Sequence, residues 1–343
     1  MNKYNILVSG TAPSNYPTET FFGILNCKDA SCMEILKMYP FSGEWGKPTN
    51  TYLGIRDTFP MPSKIDMIWL SICERCFYSV EHEMDCNEME RKWQEQESKS
   101  TDNPFQYIVV GMAPFVYLAL WFYCDKKSIL VEWIKADKVN VSMSDFLPER
   151  PQTQLDTYCD GYIKDRDLPL SPPRNLFDNY MKQFTYRYQV VFAHWDEDKE
   201  EWMKYNQEEI VPEFDFIEEA LFDGTHDKLH DGGLMNYHEA GKPQKLAFQW
   251  HIKKSEYTAY LWFEDEEIRA IFDRFYGTHP ETKADFLFHI DPEKNKYELS
   301  LFRFGLKEPQ IISETAYQLI VFKNKFECFR SKNYNKERGA WIW

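Results

Sequence analysis

Residues 246–276 read LAFQWHIKKSEYTAYLWFEDEEIRAIFDRFY, and a change of hydrophobic period inside this run decides the fold class. Leu246 to Trp250 and Tyr257 to Trp262 are short apolar runs, rich in aromatic residues, of strand length. From Asp265 to Tyr276 the spacing lengthens, and Ile268, Ile271, Phe272 and Phe275 fall on one face of a helix. Glu264 to Glu267 suits the start of that helix, where the backbone dipole favours negative charge. Phe286 to Ile290 and Tyr297 to Phe304 then read as a hairpin, because Pro292 to Asn295 is too short for a parallel crossover.

The same order occurs earlier in the chain. Ile65 to Trp69 and Cys76 to Val80 read as strands, and Cys86 to Gln94 as a helix with Met89 and Trp93 four apart. Tyr107 to Val110 and Tyr117 to Tyr123 are two further strands. An offset of about 180 residues relates the halves, with Trp69 beside Trp250 and Tyr117, Ala119, Trp121 and Tyr123 opposite Tyr297, Leu299, Leu301 and Arg303. The expected fold class is α+β: two similar domains, each an antiparallel β-sheet with a helix packed on one face, related by internal duplication. Pro148, Pro151, Pro169, Pro172 and Pro173 mark a proline-rich linker at 148–183 between domains at 1–147 and 184–343, with Gln152 to Ile163 as a short helix resting on the first.

A chain of 343 residues passes the size at which one core usually divides, so two domains are the default. With 43% hydrophobic and 17% aromatic residues it has ample surface to bury, which excludes a disordered chain. The start alternates (Tyr4, Ile6, Val8) in place of a signal-peptide run, and the apolar stretch Tyr107 to Tyr123 is broken by Gly111 and Pro114. A cytoplasmic protein without membrane insertion is expected, and its eight cysteines are then reduced thiols.

The net charge of -15 argues against nucleic acid as a partner. Asp196 to Glu239 holds fifteen acidic residues against three lysines, while Lys323 to Arg338 holds six basic residues against two glutamates. Aromatic residues are interleaved with the acidic tract, a combination that gives steering charge and anchors for a basic partner surface. The candidate partner-binding residues are Trp195, Asp196, Glu197, Asp198, Trp202, Glu208, Glu209, Glu218, Glu219 and Asp223.

For chemistry, the densest ligand set is His226, Asp227, His230 and Asp231 beside Asp223. Helical spacing puts both imidazoles on one face, which is the basis of an alternative reading as a metal-dependent hydrolase. Gly224, Gly232 and Gly233 make turn chemistry the plainer reading, and no metal or other cofactor is expected. Cys73 and Cys76 lack a helix start to lower their pKa, and no Gly-x-Ser-x-Gly elbow or phosphate loop occurs. A carbohydrate or peptide groove built from Trp45, Trp69, Trp121, Trp250 and Trp262 is the other alternative; core packing is the commoner use of such residues.

One order of residues carries a resemblance. Ser14-Asn15-Tyr16-Pro17 with Gly23, Trp45-Gly46, Ile68-Trp69-Leu70-Ser71 with Glu74 and Phe77-Tyr78, then Ile108 to Pro114 leading into Leu120-Trp121, resembles the bacterial family called domain of unknown function 2931. The resemblance covers roughly the first 150 residues, and the ending Gly339 to Trp343 is similar to longer forms from gut Bacteroidales. Members are often encoded beside secreted antibacterial toxins, including those of type VI secretion. This implies a non-catalytic immunity protein whose partner is a cognate toxin, and it supplies no catalytic residues.

Overall fold

Strand Tyr117–Cys124 is buried on both faces along nearly its whole length, so it needs apolar cover on two sides and not one. In the computed structural model, which describes residues 2–35, 43–49, 58–99, 104–169, 175–204, 213–230, 236–277, 279–303, 305 and 308–335, that cover is a second sheet on one side and aromatic residues on the other. The chain divides into two units, Met1–Asp178 with Asp223–Thr225, and Asn179–Phe222 with His226–Trp343. Strand takes 52% and helix 16%, an α+β content dominated by sheet.

In the first unit the elements run β1 (Leu7–Thr11), β2 (Thr18–Cys27), β3 (Cys32–Glu34), β4 (Pro62–Ser71), β5 (Cys76–Glu83), α1 (Cys86–Lys99), β6 (Tyr107–Ala113), β7 (Tyr117–Cys124), β8 (Lys127–Lys135) and β9 (Asp137–Val139). One sheet has the order β3-β2-β4-β5-β9 and the other β1-β6-β7-β8. Ile65, Met67 and Trp69 of the first sheet and Ile108, Val110, Leu118, Leu120 and Phe122 of the second form one core, joined by Met89 and Trp93 of α1. The expected single sheet under a helix is therefore a pair of sheets sharing a core with the helix.

Helix α2 (Met143–Phe146) ends just before the segment read as a linker, and that segment carries α3 (Leu155–Arg166) and α4 (Leu176–Tyr180). Phe146, Cys159 and Ile163 pack on Leu70, Ile72 and Phe77, the outer face of the β4–β5 hairpin, so 143–166 is part of the first unit.

The second unit runs β10 (Phe184–Asp196), β11 (Glu201–Lys204), β12 (Glu213–Leu221), β13 (His226–His230), β14 (His238–Ala240), β15 (Pro243–Ile252), β16 (Ser255–Phe263), α5 (Asp265–Tyr276), β17 (Lys283–Asp291), β18 (Lys296–Phe302), β19 (Gln310–Ile311), β20 (Tyr317–Lys323) and β21 (Phe326–Arg330). Its sheets are β13-β12-β15-β16-β20-β21 and β11-β10-β17-β18-β19. The diagram matches the first unit's with β11 and β21 added; β14 pairs with the start of β10 as Thr58–Phe59 pairs with Tyr4–Asn5 just before β1. Each unit has a parallel pair, β1 with β6 and β10 with β17, across a connection long enough to hold the intervening hairpin and helix.

All eight cysteines are free, and burial pushes the Cys73 thiol up to about 11, the opposite of a redox-poised thiol. No helix among the described residues is long and apolar enough to cross a membrane.

Candidate functional site

Strand β10 starts in the core of the second unit, with Phe184, Tyr186 and Tyr188 buried, and becomes half-exposed from His194 onward. There it pairs with β11, which places Trp195 opposite Trp202 and Asp196 opposite Glu201. The connecting turn is held by the Asp196 carboxylate, which accepts from the backbone N–H groups of Asp198 at 3.0 Å and Lys199 at 3.2 Å. Those bonds and the Lys199 ammonium hold the Asp196 carboxyl below its ordinary range.

A second turn, between β17 and β18, completes the site. Asp291 is fully buried, and its carboxylate accepts from Trp195 N at 2.8 Å, Glu293 N at 3.1 Å and Lys294 N at 3.2 Å. A buried carboxylate is tolerated only when such donors replace water. Trp202 Nε1 donates to Glu298 at 3.1 Å, and its ring stacks on His289 at 5.3 Å. Burial pushes the Glu298 carboxyl up and the His289 imidazole down. The Trp195 and Trp202 rings meet edge to face at 5.3 Å, and Lys296 Nζ lies 3.3 Å from the centre of the Trp195 ring.

His194, Trp195, Asp196, Glu197, Asp198, Met203 and Lys294 line an open depression of about 390 Å³. Its surroundings are charged: Glu197 and Asp198 of the lining are exposed, as are Glu200, Glu201 and Glu293 close by in the chain, and Lys294, Lys296 and Lys199 are nearby cations. Aromatic surface beside unburied carboxylates suits a basic protein surface.

The site thus gathers Trp195, Asp196, Glu197, Asp198 and Trp202. It does not gather the rest of the acidic tract. Glu218 lies on β12 and pairs with Lys228 across the β12–β13 ladder at 3.0 Å. Glu219 is buried and accepts from Tyr188 OH at 2.7 Å; Asp223 is buried in the first unit, where its carboxylate accepts from Thr225 N at 2.9 Å. Both are interior groups, a correction to their reading as contact residues. Glu208 and Glu209 lie outside the described residues. Sequence reasoning missed Met203, an apolar residue next to Trp202 on β11, and it missed Lys294, Asp291 and Glu298 because the β17–β18 hairpin meets β10 and β11 only across some 96 residues of chain.

The His226 to His230 run is strand β13 and not a helix. Four residues of strand separate the two positions by roughly 13 Å, too far for one metal. No group of three or more metal-ligating side chains occurs among the described residues, and Asp231 lies outside them.

The first unit uses its distinctive residues for architecture. The Glu74 carboxylate accepts from Ser71 Oγ at 2.8 Å, Tyr78 OH at 2.8 Å and Phe115 N at 3.0 Å, tying the β4–β5 turn to the β6–β7 turn. That second turn has left-handed backbone at Phe115 (φ 59) and Val116 (φ 69), a conformation the Glu74 bond helps to hold. Trp45 meets Trp121 edge to face at 4.7 Å, and a Cβ on Gly111 would stand 2.4 Å from the Trp121 ring. Gly46 (φ 83) approaches the Gly224 carbonyl so closely that a Cβ would lie 2.2 Å from its oxygen. The family model for proteins of unknown function, DUF2931, matches residues 2–171 and so spans all of these residues except Gly224. The chain belongs to the DUF2931 family. The DUF2931 match ends before the second unit begins, and no curated protein and no solved structure matches the chain. What marks DUF2931 in this chain is a frame: Trp69 stands opposite Tyr78 across β4–β5, with the Glu74 bonds just beyond.

Proposed function

We propose that the chain is a non-catalytic binding protein that captures a basic partner protein at the end of the β10–β11 hairpin. The class of partner to which the family resemblance points is a secreted antibacterial toxin, and the chain would then be its immunity protein. The observation that carries the reading is the Trp195–Trp202 pair beside an open depression rimmed by exposed carboxylates. Aromatic anchors supply contact energy and the carboxylates supply steering. We also infer that the two units descend from one duplicated unit. The matching strand diagrams support this, as do the cross-strand pairs Trp69 with Tyr78 and Trp250 with Tyr257. On this reading the first copy keeps the family frame and the second acquired the contact surface.

The test is co-purification of the whole chain with the product of the adjacent gene, followed by association kinetics. Replacing Glu197, Asp198 and Glu201 by lysine is expected to slow association by about tenfold or more at low salt. Unchanged association would remove the surface from the proposal.

A further inference from the structure

The depression already holds ammonium groups, and they belong to the chain itself. Lys294 Nζ donates to the Trp195 carbonyl at 2.8 Å and lies 3.5 Å from Glu197; Lys296 covers the Trp195 ring. Asp196 is engaged by Lys199 at 3.1 Å, whereas Asp198 has no ion partner among the described residues. Met203, 43% exposed, gives an apolar wall on which the methylenes of a long basic side chain can rest. The backbone around the depression is fixed by two carboxylates, Asp196 in its turn and the buried Asp291 beneath, so the site is formed before any partner arrives.

Resting on the reading above, we propose that this depression is an arginine pocket in which a guanidinium of the partner displaces the ammonium of Lys294. Lys294 is half-exposed and held by one carbonyl and one carboxylate, so water readily replaces what it loses. An arginine fork meets the vacated Glu197 and Trp195 carbonyl together and reaches the open Asp198, a planar multi-donor match that a lysine ammonium cannot make. Lys296 remains over the Trp195 ring.

The experiment needs no partner. The whole chain is titrated with N-acetyl-arginine methylamide and with its neutral citrulline counterpart, following the indole N–H signals assigned through Trp195→Phe and Trp202→Phe. A saturable shift at Trp195 with the arginine probe, at least about fivefold tighter than with citrulline, is expected. Lys294→Met is expected to tighten arginine binding by up to about fivefold and Asp198→Asn to weaken it by a similar factor. Both side chains are exposed, and an unchanged melting midpoint verifies that each variant is folded. Equal response to the two probes, or an affinity that Lys294→Met leaves unchanged or weakens, overturns the pocket. An arginine response that obeys these rules, combined with partner binding indifferent to charge reversal, removes the contact surface and keeps the pocket. The opposite combination keeps the surface and removes the pocket.

Discussion

In the first unit Trp69 faces Tyr78 across a hairpin, and in the second Trp250 faces Tyr257 across its equivalent. All four rings are buried, and the pairs touch at 5.8 Å and 5.4 Å. Beyond them the turns differ: Ile72 to Arg75 spans the first, whereas Lys253-Lys254 closes the second. The shorter turn leaves no position for a Glu74, and the carboxylate that ties turns together in the second unit is Asp291, on the other sheet. A shared strand diagram therefore does not require shared polar anchors. The apolar pairs occur in both units because core packing demands them, and the anchors differ as the turns do.

The comparison is broken most directly at Asp291. Asp291→Ala leaves three backbone donors facing a buried void and is expected to cost roughly 3–5 kcal/mol in urea unfolding followed by tryptophan fluorescence. Glu74→Ala removes as many bonds but from a half-buried site that water can reach, so roughly 2–3 kcal/mol is expected. A larger loss at Glu74 than at Asp291 would reverse the ranking of the two anchors. Trp202→Phe deletes the bond to Glu298 while keeping an aromatic ring on His289, and a loss of about 1 kcal/mol is expected.

The smallest effect is a dependence on pH. His289 has its folded pKa below the ordinary 6.5 because of burial, so between that folded value and 6.5 the unfolded chain binds the extra proton. The neutral ring's contribution is intact above 6.5 and is lost as pH falls below it. His289→Gln is accordingly expected to gain on the wild type in melting midpoint as pH falls from 7.5 to 5.5. A difference between the two that stays constant with pH would contradict the burial of His289.

Much of this was legible in the residues. The helix face Ile268, Ile271, Phe272 and Phe275 is buried as its spacing required, and the strands Ile65 to Trp69 and Tyr257 to Trp262 lie inside β4 and β16. The tryptophans and the Asp196 to Asp198 turn were singled out because aromatic and acidic residues stand together in the chain, and the β10–β11 hairpin does bring them side by side. Glu219 and Asp223 were misplaced for the converse reason: composition does not distinguish a solvated carboxylate from one that accepts from Tyr188 or caps a turn.

The sequence by itself determined the local elements, their repetition after about 180 residues and the family of the first half, since hydrophobic period and turn residues act over a few positions. Only the tertiary structure decided that each half is two sheets, that β10 runs parallel to β17, and that Asp291 carries Trp195. Those outcomes depend on contacts between residues nearly a hundred positions apart, and the burial they create sets the charge, partners and exposure of each group at the site.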